Sequence, residues 1–297
     1  MVDNSRTFNI VLHSVLMLLA AFCLVPFLLL FSSSFASEAS LLKHGYSFFP
    51  REISFSAYNY LFGSSSSSIL RSYGITILVT VIGTSVNLAL TVLLAYPLSR
   101  RDLPNRNVFA FIIFFTMLFN GGLVPTYIMY TQLFHIKNTL FALIVPQFML
   151  SAFYVIMMRT YFTSNIPMEI IEAAKIDGAH EYRILWQVVL PMSMPILATV
   201  GLMVGLMYWN DWTNGLYYLT DPKLFSIQNV LNRMLRDAQF LSTMGSNSGQ
   251  LSTAVKNLPS TSLKMAVAVI GALPILVIYP FFQRFFVKGI TVGAVKG

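Results

Sequence analysis

Apolar residues run through this chain in six long stretches, Ile10–Phe31, Gly74–Leu98, Val108–Tyr130, Leu140–Tyr161, Val189–Trp209 and Lys264–Phe286. A helix needs about 20 mostly apolar residues to cross the hydrocarbon of a bilayer, and each stretch meets that length. An unpaired backbone amide in lipid costs several kcal/mol, so each is expected to be a helix. Pro26, Pro125, Pro146, Pro195 and Pro274 lie inside them. Each should kink its helix, and a neighbouring helix must then cover the freed carbonyl. The pattern predicts an all-α membrane protein of six transmembrane helices, with residues 1–297 forming a single membrane domain.

The polar intervals have their own character. Within Ser226–Ala238, Ile227, Val230, Leu231, Met234 and Leu235 follow the i, i+3, i+4 spacing of a helix with one apolar face. A short amphipathic helix is expected there. Gly63–Ser68 reads as a flexible polar run, and the Gly/Ser-rich stretch Phe240–Pro259 as a mobile loop.

Composition agrees with the pattern: 56% of residues are apolar and 10% charged, and the mean hydropathy is +0.69. A soluble domain carries about 25% charged residues, so a lipid-facing chain is the better account. The net charge of +8 invites a nucleic-acid reading. Its basic residues, however, are spread along segments flanking the apolar stretches, which is the signature of membrane topology rather than of a phosphate-binding stripe. Arg100, Arg101 and Arg106 lie in one connector, Lys175 and Arg183 in another, and Lys288 and Lys296 in the tail. The positive-inside rule places these segments, and with them both termini, in the cytoplasm. Segments 32–73 and 210–263 are then extracytoplasmic. The first stretch, ending near Ser34-Phe35-Ala36, has the small-x-small look of a signal-peptidase site, but its apolar core is longer than a signal peptide's, and an uncleaved anchor is expected. Cys23 is the single cysteine, and His13, His44, His135 and His180 stand at no metal-ligand spacing.

The connector between the fourth and fifth stretches, residues 162–188, is the most informative segment. Ser164 or Asn165 can cap a helix whose first turn suits Pro167. Glu169 and Glu172 fall near its N-terminus, where carboxylates complement the helix dipole. Ala173 and Ala174 leave a smooth face. Gly178 permits the left-handed turn that ends the helix, before His180–Gln187 resumes. Small residues ringed by charge suit a groove in a partner. The alternative is an amphipathic connector on lipid headgroups, which calls for basic flanks; Glu169, Glu172, Asp177 and Glu181 weigh against it.

At this point the chain resembles a known family. Glu172-Ala173-Ala174, three residues, Gly178, nine residues and Val188-Val189-Leu190-Pro191 match the cytoplasmic motif of permease subunits of binding-protein-dependent ABC importers, departing only in Val188 for Ile. Ile176-Asp177-Gly178-Ala179 and the tail Gly289–Gly297 look like the carbohydrate-uptake class, and the tail is similar to that of the smaller, six-span member of the maltose permease pair. Phe119–Tyr127 and Tyr208-Trp209-Asn210-Asp211-Trp212 are similar to the branch importing larger oligosaccharides. The resemblance implies the type I importer permease fold in a bacterial cytoplasmic membrane. It also implies a second permease subunit, two cytoplasmic ATPase subunits and an extracytoplasmic solute-binding protein. Glu169, Glu172, Ala173, Ala174, Asp177 and Gly178 would couple to an ATPase subunit. Thr291, Val292, Gly293 and Lys296 of the tail (residues 287–297) would touch it as well. ATP and Mg would be held by those partners, with no cofactor in this chain; no Gly-Lys-Ser/Thr phosphate loop occurs in the sequence.

Asn87, Thr91, Asn120, Gln147 and Ser151 lie within the apolar stretches. A carbohydrate pathway wants such amides and hydroxyls, together with aromatic faces such as Tyr127, Tyr154, Tyr208 and Trp209, and Asn210 beside them. Interhelical hydrogen bonding and interfacial anchoring use the same residue types. Two other classes compete: a secondary transporter, which would need ionisable residues near the centre of a span, and a membrane enzyme, which would need a clustered acid, base or metal site. The sequence displays neither feature.

Overall fold

The computed structural model describes residues 6–63, 66–146, 148–247 and 260–294. Its elements are helices, and among the described residues sheet-type pairing is confined to an isolated antiparallel bridge, Ala36 with Ile53. The chain divides into two compact units, Met1–Ile69 with Leu231–Pro274, and Leu70–Val230 with Ile275–Gly297.

In the first unit, α1 (Arg6–Ser34) is one continuous helix. From Phe8 to Leu28 it is exposed around its whole circumference, as a helix solvated by hydrocarbon can be. Its last turn is fastened to the segment that follows. The Ser32 hydroxyl donates to the Phe48 carbonyl at 2.6 Å, Ser34 meets the Tyr58 hydroxyl at 2.8 Å, and the Phe35 and Tyr58 rings stack at 5.0 Å. Ser37 caps α2 (Glu38–His44) by accepting from the Ser40 amide. The Glu38 carboxylate then accepts the Thr261 and Ser262 amides, at 3.0 Å each, at the start of α15 (Ser260–Ala294). A carboxylate at a helix N-terminus satisfies orphan N–H groups and opposes the positive end of the dipole. Ala57 and Leu61 of α3 (Ser56–Phe62), with Leu263 and Ala266 of α15, are fully buried.

The second unit begins with most of α4 (Ser66–Ser99), again continuous. α1, α4 and α15 correspond to the first, second and sixth expected spans. The other three are not single helices. The third bends by 108° between α5 (Arg106–Leu118) and α6 (Leu123–Ile128), which runs on into a π-helical turn, Met129–Leu133. The bend falls at Phe119–Gly122 rather than at Pro125, because Gly122 takes φ +84° and the Asn120 side chain accepts its amide, while Pro125 sits harmlessly in the next helix's first turn.

The fourth expected span is broken outright into α7 (Phe141–Ile144) and α8 (Ala152–Asn165), with non-helical backbone at 145–146 and 148–151. Pro146 supplies no amide and disfavours helix at the residue before it. The fifth bends by 82° at Ser193, after α10 (Glu181–Ile184), a π-helical turn at Leu185–Val189 and α11 (Leu190–Met192), and before α12 (Met194–Trp209). Pro195 opens α12, so the helix restarts there. α13 (Thr213–Tyr218) follows closely.

The amphipathic helix expected at 226–238 is α14 (Ile227–Asn247), with the Ser226 hydroxyl accepting the Asn229 amide at its start. It continues well past 238. Residues 240–247, expected in a mobile loop, are therefore helical, and residues 248–259 of that loop lie outside the described residues.

Candidate functional site

The 162–188 connector folds into α9 (Met168–Ile176), a turn, and α10. Ser164 and Asn165 do not cap α9 as expected. They complete α8, where the Asn165 amide donates to the Tyr161 carbonyl, and Pro167 takes the N-cap position with extended backbone. The turn is closed by a Schellman arrangement. Gly178 has φ +78°, its amide donates to the Lys175 carbonyl at 3.0 Å, and the Ala179 amide donates to the Ala174 carbonyl at 3.0 Å. Glu169, Glu172, Ala173, Asp177 and Gly178 are exposed, Ala174 partly so, and Ile176 is 86% exposed. Ile171 is the one buried residue of α9. The helix therefore offers a surface of carboxylates, small residues and an unsheltered isoleucine.

Behind that surface lies a cluster that the sequence reading did not assemble. The Lys175 ammonium is 2.7 Å from Glu181 Oε1 and 3.2 Å from Asp102 Oδ2. The Arg100 guanidinium reaches the same two carboxylates, at 3.8 and 3.2 Å. The charges alternate around a closed ring of four. The Tyr96 hydroxyl donates to Glu181 Oε2 at 2.5 Å, and Arg100, only 6% exposed, reaches Met168 Sδ at 3.9 Å. Hydrogen bonds from Arg100 and then Lys175 hold the Asp102 carboxyl below the ordinary carboxylate range, and bonds to Glu181 and Asp102 push the Lys175 ammonium up. A groove of about 420 Å³ runs beside the ring, walled by Tyr96, Leu103, Pro104, Tyr182 and Leu185. Lys175 and Glu181 stand six residues apart across the Gly178 turn, a complementary pair visible in sequence. Their meeting with Arg100 and Asp102 follows from tertiary folding.

The second feature is the broken fourth span. Three carbonyls that the break exposes are taken up by side chains. Tyr208 donates to Ile144 at 2.8 Å, Asn214 to Pro146 at 3.3 Å and Asn87 to Phe148 at 2.6 Å. Asn87 also accepts from Thr91. Asn87, Tyr208 and Asn214 are buried, at 1%, 2% and 0% exposure. Gly83 makes room for the Tyr208 ring, since a Cβ there would lie 2.4 Å from Cζ. Asp211 shapes the adjoining turn by accepting the Thr213 and Asn214 amides, and burial raises its pKa.

The remaining candidates are dispersed. Asn120 and Asn210 are exposed, Ser151 and Tyr127 are half-buried, and Tyr154 and Trp209 are buried. Gln147 lies outside the described residues, as does Lys296 of the tail; Thr291, Val292 and Gly293 continue the backbone of α15.

Residues 106–292 match the family model described as binding-protein-dependent transport system inner membrane component. The chain is 38% identical over 278 residues to the protein LplC of Bacillus subtilis, covering 93% of this chain and 90% of that one. It is 36% identical over 298 residues to that organism's polygalacturonan/rhamnogalacturonan transport system permease protein YtcP, covering 99% and 100%. A solved bacterial ABC transporter involved in import of the acidic polysaccharide alginate contains a chain 30% identical, with a TM-score of 0.77, over 96% of this chain and 99% of that one. The chain therefore belongs to the family of binding-protein-dependent transport system inner membrane components.

Proposed function

We propose that this protein is one of two permease subunits of an ATP-driven importer whose cargo is an oligosaccharide handed over by an extracytoplasmic binding protein. The observation that carries the reading is the Schellman-closed α9 turn, with Glu169, Glu172, Ala173, Ala174, Asp177 and Gly178 on or near an accessible face. This is a compact, acid-edged knob with the geometry needed to enter a groove of a cytoplasmic ATPase subunit. ATP and Mg would act in that partner. Thr291, Val292, Gly293 and Lys296 would add contacts from the tail.

The basic residues Arg100, Arg101, Arg106, Lys175 and Arg183 around the knob support a cytoplasmic location for it, and with it for both termini. Carbohydrate as cargo is supported by the named relatives. They include a permease for polygalacturonan and rhamnogalacturonan at 36% identity and one for melibiose, raffinose and stachyose at 28%. Asn120, Ser151 and Asn210, with Gln147 and Trp209, would line the passage. Asn87 and Tyr208 would serve it indirectly, by holding the shape of the broken span.

The test is ATP hydrolysis by the complex reconstituted with its partner permease, ATPase and binding protein, over a panel of neutral and uronic-acid oligosaccharides. Stimulation by at least one oligosaccharide is expected. Stimulation by amino acids or peptides alone would overturn the carbohydrate reading.

A further inference from the structure

The ring formed by Arg100, Asp102, Lys175 and Glu181 joins two elements that the proposed mechanism requires to move together. Lys175 and Glu181 flank the Gly178 turn of the docking segment. Arg100 and Asp102 belong to the turn that ends α4. Apolar packing of α9 is thin, Ile171 being its one buried residue. The polar links, by contrast, grip it at both ends: Arg100 reaches Met168 at the start of α9, and the carboxylates of Asp102 and Glu181 hold Lys175 at its close. Both oxygens of Glu181 are engaged, Oε1 by Lys175 and Oε2 by Tyr96 of α4.

From Tyr96, α4 runs without interruption to Asn87 and Gly83, which support the Phe148 carbonyl and the Tyr208 ring at the membrane break. A continuous helix with packed contacts at both ends is a physical route for displacement. The link also suits its place. A cation in the last turn of α9 complements the negative end of the helix dipole. Burial of Arg100 keeps part of the ring away from the solvent screening that weakens exposed pairs.

We propose that Lys175 and Glu181 are positioning residues that lock the docking segment to the end of α4, so that displacement of α9 by the ATPase is delivered to the broken fourth span. The proposal rests on the docking reading above. Its test uses the full complex in liposomes, with Lys175→Met, Glu181→Gln and the conservative Lys175→Arg. In both neutralised variants the ATPase is expected to co-purify in wild-type yield with basal hydrolysis unchanged. Transport, and hydrolysis stimulated by loaded binding protein, should fall at least about fivefold, the lower end of ordinary coupling between sites.

Lys175→Arg should recover most of the loss. The double neutralised variant should be no worse than either single one, because the ring is already open. Stimulated transport within about twofold of wild type in both single variants would overturn the lock. So would loss of the ATPase from the complex, which would make the two residues direct docking contacts. If Glu181→Gln fails to assemble, Tyr96→Phe frees one Glu181 oxygen alone, and unchanged stimulated transport in that variant would equally overturn the proposal. Glu172→Lys, on the exposed face, reads the underlying docking assignment separately. It is expected to lose the ATPase, and retention there would overturn the docking site rather than the lock.

Discussion

Gly178 allows the proposed docking turn to be tested with a backbone perturbation alone. Its φ of +78° lies in the left-handed region, and a Cβ built there meets nothing within 4 Å. Any cost of substitution must therefore come from backbone conformation and not from a clash. An L-residue held in the left-handed region pays about 1–2 kcal/mol, with Asn paying less and β-branched residues more. That strain changes the ratio of closed to open turn by a factor of about 5–30. If the ATPase binds only the closed turn, its apparent dissociation constant rises by the factor by which the closed population falls.

Titrating solubilised permease complex with ATPase subunit should then rank affinity as Gly, Asn, Ala, Val. The 174–180 amides should exchange faster in the same order. Gly45 supplies a control for strain elsewhere. It also has positive φ, +71°, and also has nothing within 4 Å, but its ψ of −164° lies in a region open essentially to Gly alone, and it closes α2 in the other unit. Gly45→Ala should carry at least as much local strain and leave ATPase affinity unchanged. Equal affinity across the Gly178 series would refute the reasoning, and so would equal losses from Gly45→Ala and Gly178→Ala.

Tyr208→Phe removes the donor at the Ile144 carbonyl, and Asn87→Leu the donor at the Phe148 carbonyl. Each should cost about 1–3 kcal/mol by leaving a buried acceptor unpaired, read as a lowered Tm of the detergent-solubilised protein, whereas an unchanged Tm would mean water reaches the break. The Asp102 carboxyl is held below its ordinary pKa chiefly by Arg100, so its stabilising contribution is full above the unfolded value of about 3.9 and is lost as pH falls through the folded value. Exchange protection of the α9 amides, corrected for intrinsic rates, should be flat from about pH 5 to 8 and drop below about pH 4. Asp102→Asn should shrink that drop and leave the share of Glu181, whose carboxyl is also lowered; an undiminished drop would assign it to Glu181 or another carboxylate.

How much of this was legible in the sequence varied with the range of the interaction responsible. The Schellman turn at Gly178 depends on a few consecutive residues, so spacing alone sufficed to place it. The same holds for the apolar face of α14, where Ile227, Val230 and Leu231 repeat at helical spacing. The end of that helix was missed because Gly245 and the polar Ser242, Thr243, Ser246 and Asn247 read as loop, even though Leu241 and Met244 keep helical spacing from Ala238. The broken fourth span was harder. Leu140–Tyr161 is apolar apart from Gln147, Ser151, Arg159 and Thr160, and Pro146 alone says only that one hydrogen bond is missing. Whether a kink or a full break results depends on donors far along the chain, at Asn87, Tyr208 and Asn214, being present to receive the freed carbonyls.

Those same residues show why polar side chains at membrane depth resist assignment from sequence. Asn87 and Tyr208 carry the groups a sugar would use, and the sequence offers no means of seeing that backbone already occupies them. Once the break is known, the argument runs the other way. An apolar stretch containing proline needs donors, so buried Asn and Tyr on neighbouring helices are its expected complement. Under the proposed function, the residues left to meet a cargo would be those, such as Asn120 and Asn210, whose side chains stay exposed although each also bonds one local backbone group, the Gly122 amide and the Leu206 carbonyl.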